Sequence, residues 1–347
     1  MSGERRIVYF LGAGASLGAG AVAKIQGGGA VAIPTQVTFW EIFLRFVKKT
    51  KNRQDIENFL FRYFLNYQKT PNRTKALARR KQLSPIDVEE VFTFLSERNN
   101  APGVSPQLRS RTTKIWDALI EEIGQVFGRF PANKRTRSVY QRFKRQHLRS
   151  RDTIVSFNYD VVFEGSLPNS TKWYYEGIEN DHESQSLRIL KPHGSINWEE
   201  IEKEIVCRRK PSQYPEHPTV IAPTHLKFVG VGEPGDDGVR TGIGYLNQAA
   251  QIPDVWAAME REMREAKAWV FIGYSFPSSD LYFASILRST LATRRVDPYI
   301  VIVNPDSMAI RHRIQGRFSV SDDRIRTFPD LQTFNQIQRS QMLRMFQ

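Results

Sequence analysis

Ile7-Val8-Tyr9-Phe10-Leu11-Gly12-Ala13-Gly14-Ala15-Ser16 is the stretch that decides the fold of this chain. Five apolar residues run straight into a turn of small ones. A short strand buried on both faces has that signature, and small residues at its exit let a phosphate group approach the backbone. The pattern stops short of the full dinucleotide fingerprint. Position 17 is Leu where a third glycine is wanted, and no Asp or Glu for the ribose hydroxyls occurs between Gly14 and Glu41. An ordinary nicotinamide dehydrogenase is therefore disfavoured. A tight turn with no ligand is the competing reading of these residues taken alone.

Further along, Thr153–Phe157, Leu187–Leu190, Thr219–Ile221, Ala268–Ile272 and Tyr299–Val303 are short apolar runs, most of them ending in a small or polar residue. Helix-length stretches such as Pro253–Lys267 and Leu281–Thr293 separate them. That alternation predicts an α/β fold: a Rossmann-like parallel sheet with helices on both faces. Between the first strand and Thr153 the pattern is helical. Phe39, Ile42, Phe43, Phe46 and Val47 mark one buried helix face. Helices are also predicted over Ile56–Tyr67, over Asp87–Arg98 after a Ser84-Pro85 start signal, and over Thr113–Phe127, with a loop over Asn99–Gln107. Residues 1–37 and 152–347 thus read as the α/β domain and residues 38–151 as a mostly helical insertion. Gly230–Gly244, with six glycines, reads as a mobile loop.

The 347 residues are 40% hydrophobic and 25% charged, enough apolar material for a sizeable core. No apolar run is long enough to span a membrane. Arg5, Arg6, the apolar run and Ala21-Val22-Ala23 imitate a secretory signal. The run before Gly12 is short for a signal core, so the expectation is an intact cytoplasmic protein. The net charge of +14 favours an anionic partner. Cys207 is the single cysteine, so no multi-cysteine zinc site can be assembled. Elemental analysis should find substoichiometric zinc and a chelator should leave the melting temperature unchanged. One tightly held zinc per chain would contradict this.

Four more motifs sit at predicted strand exits, where ligand sites of parallel sheets gather. Asn158 and Asp160, two apart in Ser156-Phe157-Asn158-Tyr159-Asp160, share one side of an extended chain, unless they form an Asx turn. In Lys191-Pro192-His193-Gly194-Ser195 a glycine leaves the imidazole uncrowded. A hydrogen-bonded structural histidine is the alternative. Gly273-Tyr274-Ser275 with Asp280, and Asn304-Pro305-Asp306, complete the set; either can be a capped turn or a ligand contact.

These motifs, in this order, resemble the sirtuin-like (silent information regulator) family, and Asp87-Val88-Glu89-Glu90-Val91-Phe92-Thr93-Phe94-Leu95 resembles the helical segment that follows the first turn there. The sirtuin deacylases carry a four-cysteine zinc module and a Gln-Asn-Ile-Asp motif. Here there is one cysteine, and Phe157 and Tyr159 replace the Gln and Ile. The departures resemble the bacterial sirtuin-like branch associated with NAD degradation in antiphage defence. The resemblance implies hydrolysis of NAD⁺, as substrate, at the nicotinamide–ribose bond, with no zinc. It implies that Asn158 positions water and ribose, that Asp160 hydrogen-bonds the carboxamide, and that His193 is general base. Gly12, Ala13, Gly14 and Ser16 would cradle the pyrophosphate and Gly273 and Ser275 would support the phosphates. Asn304 would meet the adenosine ribose and Thr35 would face the nicotinamide side. A toxic hydrolase implies control by a homo-oligomer or by a defence partner such as a ring ATPase or an Argonaute-like protein. A non-catalytic NAD⁺ or ADP-ribose sensor is the alternative, with a protein deacylase behind it.

Two basic stretches stand apart. Lys69–Lys81 holds six Lys or Arg and Arg129–Arg151 holds nine, neither with an acid. With Tyr140 and Phe143 between charges, the second could meet nucleic acid; a solvated helix face or an acidic protein partner are the other readings.

Overall fold

The computed structural model describes residues 6–25, 28–48, 50–65, 86–180, 183, 185–221, 251–277 and 280–346. The glycine-rich stretch Gly230–Gly244, the basic stretch Lys69–Lys81 and the Ser84-Pro85 signal lie outside them. The chain forms two compact units: residues 1–33, 130–195 and 250–347, and residues 34–129 and 196–249.

The first unit is built on a sheet of seven parallel strands. In chain order the strands are β1 (Ile7–Leu11), the β2–β3 hairpin (Val22–Lys24 and Ala30–Ala32), β4 (Thr153–Ser156), β5 (Trp173–Tyr175), β6 (Leu187–Leu190), the β7–β8 hairpin (Trp198–Ile201 and Glu204–Cys207), β9 (Ala268–Ile272), β10 (Tyr299–Val303) and β11 (Ile325–Phe328). The sheet order is β11-β10-β9-β1-β4-β6-β5, with every pairing parallel. From β6 to β11 this is the doubly wound order of dinucleotide-binding folds, with β5 added at one edge. The hairpin β2–β3 stays outside the sheet.

The helices are α1 (Ala13–Gly18), α2 (Phe39–Phe46), α3 (Lys51–Tyr63), α4 (Val88–Asn100), α5 (Pro106–Phe127), α6 (Lys134–His147), α7 (Ile252–Glu265), α8 (Leu281–Thr293), α9 (Ser307–Phe318), α10 (Leu331–Phe334) and α11 (Arg339–Arg344). Successive residues of β1 point to opposite faces, and each face finds a helix. Tyr9 meets Phe143 of α6 edge-on at 5.2 Å, while Phe10 packs with Phe283 of α8 at 5.5 Å and stacks on Phe271 of β9 at 4.5 Å. All of β1 is buried, as its unbroken apolar run requires.

Several boundaries differ from the sequence reading. Thr219–Ile221 is no strand of the sheet; Thr219 donates to Trp198 O in the second unit and only Val220 forms a bridge. β5 and β11 went unread because three or four residues at a sheet edge give too little periodicity. The helix expected at Thr113 begins at Pro106, because the Ser105 side chain accepts from Leu108 N and Pro106 fills the first turn. Likewise Thr50 caps α3 and Asp87 caps α4. The second unit is α2 to α5 with the β7–β8 hairpin. Residues 130–151, read from sequence as insertion, fall with the sheet, since α6 buries Thr136, Tyr140, Phe143 and His147 there.

A buried polar cluster fastens the amino end of the sheet. Asp152 accepts from Ile7 N (2.9 Å) and Arg149 N (2.8 Å) and is paired with Arg339, which also donates to His147 O (3.0 Å). The Tyr9 hydroxyl donates to His147 O at 3.1 Å. The His147 ring stacks on Phe334 at 4.0 Å, with Nε2 at 3.2 Å from Phe334 O and Nδ1 buried without a partner. Burial, helped by the charges of Arg339 and Arg149 and opposed by the bond to Phe334 O, takes His147 down from the usual 6.5 to about 4. Burial also raises the neighbouring Asp152 carboxyl, against the pull of Arg339. For His147, the unfolded chain binds the extra proton between those two pH values. The stability it contributes is therefore full above 6.5 and lost as pH falls toward 4. The opposite sign holds for Asp152, so the histidine is read by difference. The gap in denaturant midpoint between wild type and His147→Gln should shrink as pH falls through that window. A constant gap would refute the assignment.

Candidate active site

The ends of five neighbouring strands align. Leu11 pairs with Ser156 and Ile272, Ile272 pairs with Val303, and Val155 pairs with Leu190. Asn304, Gly273, Gly12, Asn158 and His193 therefore follow one another along the carboxyl edge of the sheet.

The glycines at this edge have a packing reason. Gly12 N donates to Ile272 O and Gly14 N to Gly273 O, each at 3.0 Å. A Cβ on Gly12 would lie 2.6 Å from both Gly273 O and Tyr274 Cα. One on Gly14 would lie 2.9 Å from Gly273 Cα. Gly273 has φ +61°, and a Cβ there would sit 2.0 Å from Ala15 N. Two strand exits are thus pressed backbone on backbone, and the missing side chains make room for protein. Of the first-turn N–H groups of α1, those of Gly14 and Ala15 are bonded to Gly273 O and Gly12 O.

Asn158 and Ser16 meet on the other side of this turn. Asn158 Nδ2 donates to Gly12 O at 3.0 Å and approaches Ser16 Oγ at 3.4 Å. Ser16 Oγ donates to Asp160 Oδ1 at 3.1 Å, and the same oxygen accepts from Val162 N at 2.9 Å. So Asn158 and Asp160 do converge on one group, but that group is Ser16, and Asp160 also forms an Asx turn. Burial pushes the Asp160 carboxyl above the usual range, against the nearby Lys191 ammonium. Lys191 is fully buried and donates to Asp160 O (2.5 Å) and Glu164 Oε1 (3.3 Å). The Tyr175 hydroxyl donates to the same Glu164 oxygen at 3.2 Å. Tyr140, fully buried on α6, packs edge-on against Phe163 at 5.2 Å, and the charges of Asp160 and Glu164 help burial to raise its phenol. Lys191, Glu164 and Tyr175 have no role in the sequence reading, and Tyr140 figures there only in the basic stretch. Lys191 lay inside a quoted motif, but nothing in the sequence marks a lysine as buried.

His193 stands at the tip of a tight turn closed by Gly194 N to Lys191 O at 2.9 Å, with Pro192 before it and Gly194 at φ +76°. Its ring lies on Phe157 (5.0 Å) and near Trp256 (5.9 Å). Asn158 and His193 are each 9% exposed, while Ser16 and Lys191 are 1% and 0%. Of the three residues to which the resemblance gives roles in the reaction, Asn158 and His193 keep this small exposure, while Asp160, at 4%, is sealed with the groups behind them.

The remaining assignments divide. Ser275 is exposed at the tip of the next exit and its carbonyl accepts from Arg313. It follows Tyr274, whose hydroxyl donates to Asp280 Oδ2 at 2.6 Å, and precedes Phe276, buried at φ +53°. Asn304 Oδ1 accepts from Asp306 N at 3.0 Å, closing the turn before α9. Thr35 belongs to the second unit, where its backbone N–H donates to Thr38 Oγ1 at 3.0 Å. Among the described residues no cluster of His, Cys, Asp and Glu has the makings of a metal site, and no helix is long and apolar enough to cross a membrane.

Residues 152–321 match the SIR2-like domain. The match supports a sirtuin-like relationship; it includes Asn158, Asp160, His193, Gly273, Ser275 and Asn304 and leaves the Gly12–Ser16 turn outside. A solved structure from work on the mechanism and regulation of Sir2 enzymes superposes with a TM-score of 0.38 at 14% identity, over 99% of this chain and 94% of that one. No curated protein matches the sequence.

Proposed function

We propose that the chain is an NAD⁺ glycohydrolase, releasing nicotinamide and ADP-ribose. The observation that carries the reading is the pair Asn158 and His193, both at the brink of solvent on the carboxyl edge of a doubly wound sheet within a SIR2-like segment. In the reaction the C1′–nitrogen bond breaks with its electron pair going to nicotinamide, which leaves neutral. Positive charge develops at C1′, as in glycoside cleavage. Water adds there and loses a proton, which His193 accepts directly or through a ribose hydroxyl. Asn158 orients the water and the ribose, its amide fixed by Gly12 O and Ser16 Oγ.

On this reading the donor set that meets the nicotinamide ribose of NAD⁺ is Asn158 and His193. At the pyrophosphate end it differs from the expected cradle: the space beside Gly12 and Gly14 is filled by the Gly273 backbone, so the first turn of α1 serves through Ala13 and Ser16. Asp160, with Oδ1 bonded to Ser16 and Val162, is a positioning residue that holds Ser16 rather than a ligand of the carboxamide. Gly273 shapes the same turn. The role in antiphage defence and control by self-assembly or a partner rest on the family resemblance, and a cytoplasmic setting rests on the shortness of the apolar run before Gly12.

Purified protein incubated with NAD⁺ and followed by chromatography should give nicotinamide and ADP-ribose in equal amounts. Binding of NAD⁺ without release would make the chain a sensor module. NAD⁺ consumption that requires an acyl-lysine peptide would make it a deacylase.

A further inference from the structure

We infer that the outer face of α6, with the groove beside its carboxyl end, is a docking surface for a nucleic-acid phosphate backbone. The helix Lys134–His147 is sharply two-sided. Thr136, Tyr140, Phe143 and His147 are buried, while Lys134, Arg135, Arg137, Arg142 and Arg145 are exposed. No acid occurs from Arg129 to Arg151, so nothing on the helix neutralises this face. Two of the cations are held in place: Arg142 Nε donates to Asn335 O at 3.1 Å, and Arg135 lies over Gly20. Beyond the helix, Arg145, Gln146 and Arg149 form one wall of an open groove and Gln338 and Arg339 the other. Among the described residues no carboxylate lines it. Arg339, only 7% exposed, is anchored to Asp152 and His147 O.

The chemistry of the occupant follows from what this face has and lacks. Lys134 to Arg145 spans about 16 Å at the rise of an α-helix. A duplex carries one charge per about 1.7 Å of axis, so several phosphates face that length at once and a mononucleotide is too short. Phe130, Tyr140 and Phe143, the Phe and Tyr residues within the basic run, are buried, so the face offers no such ring for a base to stack on. It therefore suits phosphates, independent of sequence. An acidic protein would need an apolar centre to its interface. Among the described residues the large exposed hydrophobic side chains are Leu17, Val22, Val37, Ile201, Leu281, Val296, Met308 and Met345, none of them on α6. Nucleic-acid interfaces are the more polar and positive kind.

The test uses the full chain and a short labelled DNA duplex, read by fluorescence anisotropy across a salt series. Wild type should bind with affinity falling steeply as salt rises. Lys134→Gln, Arg137→Gln and Arg145→Gln together should weaken binding about tenfold or more at low salt and flatten the log–log salt slope by about 2–3. A control lacking three exposed lysines elsewhere, Lys51, Lys114 and Lys210, should retain the wild-type slope. Polyglutamate at equal charge should compete poorly. Absence of duplex binding by wild type, an unchanged slope in the α6 variant, equal loss in the control, or equal competition by polyglutamate would each overturn the proposal. Thermal melts check that both triple variants fold. Should the α6 triple fail to, Arg145→Gln alone should flatten the slope by about 1.

Discussion

Asn158→Ala should lower nicotinamide release from NAD⁺ by at least about 100-fold, the size of effect seen when an oriented hydrogen-bonding group at a reacting centre is lost. The folded state should survive. Asn158 makes one good bond, to Gly12 O, and a long approach to Ser16 Oγ, so its removal costs about 1 kcal/mol and a few degrees in melting temperature. The loss should appear in kcat more than in KM, because the side chain acts on the water and ribose rather than on the adenosine end. Asn158→Asp separates size from chemistry: it keeps the volume, loses the donor to Gly12 O, and sets a second carboxylate near Asp160. It should be as inactive as the alanine variant. Near-wild-type turnover by a folded Asn158→Ala protein would remove Asn158 from the mechanism and leave His193 alone at the edge.

Gly273→Ala should be the most damaging single-methyl change in the described part of the chain, and this expectation is independent of any enzymatic reading. The added Cβ would lie 2.0 Å from Ala15 N and 2.2 Å from Gly14 C, with φ at +61°. The obstructing atoms are backbone, so no side chain can swing aside. The expected cost is more than about 4 kcal/mol, the range reserved for buried steric conflict combined with backbone strain. Two other glycines calibrate it. Gly28 also has positive φ, at +96°, but nothing lies within 4 Å of its Cβ position. Gly28→Ala should therefore cost only about 1–2 kcal/mol of strain. Gly316, inside α9 with open space around it, should gain about 0.5–1 kcal/mol on conversion to alanine. Urea unfolding of the three variants supplies the order. Equal stability of Gly273→Ala and Gly28→Ala would mean that the two strand exits are not in contact.

The architecture and the location of the candidate site were legible from residue patterns. A run such as Ile7–Leu11 cannot be half-exposed, so it had to be a central strand, and small residues after each such run had to be exits. Once the strands are parallel, their exits share one edge, and Asn158, His193, Gly273 and Asn304 come together without any knowledge of side-chain positions. The charge of Arg129–Arg151 was legible too. What those residues meet was not.

Gly12 and Gly14 look in sequence like a phosphate cradle, yet the space they leave is taken by the Gly273 backbone, 261 and 259 residues away; a missing Cβ does not record what fills its place. Asp160 has the spacing of a ligand to nicotinamide, but its Oδ1 is committed to Ser16 and Val162 N. Lys191 reads as a surface residue because lysine nearly always is one, and only the fold supplies the Asp160 carbonyl and Glu164 carboxylate that make its burial tolerable. Tyr140 and Phe143 sit between charges in the sequence, as nucleic-acid contacts would, but helical periodicity turns them inward and leaves the cations outside. Sequence therefore determined which faces must be buried and which strand ends must cluster, because periodicity is a local property. The tertiary structure decided the occupant of each glycine's space and the partner of each buried charge, because those partners are set by contacts between residues far apart in the chain.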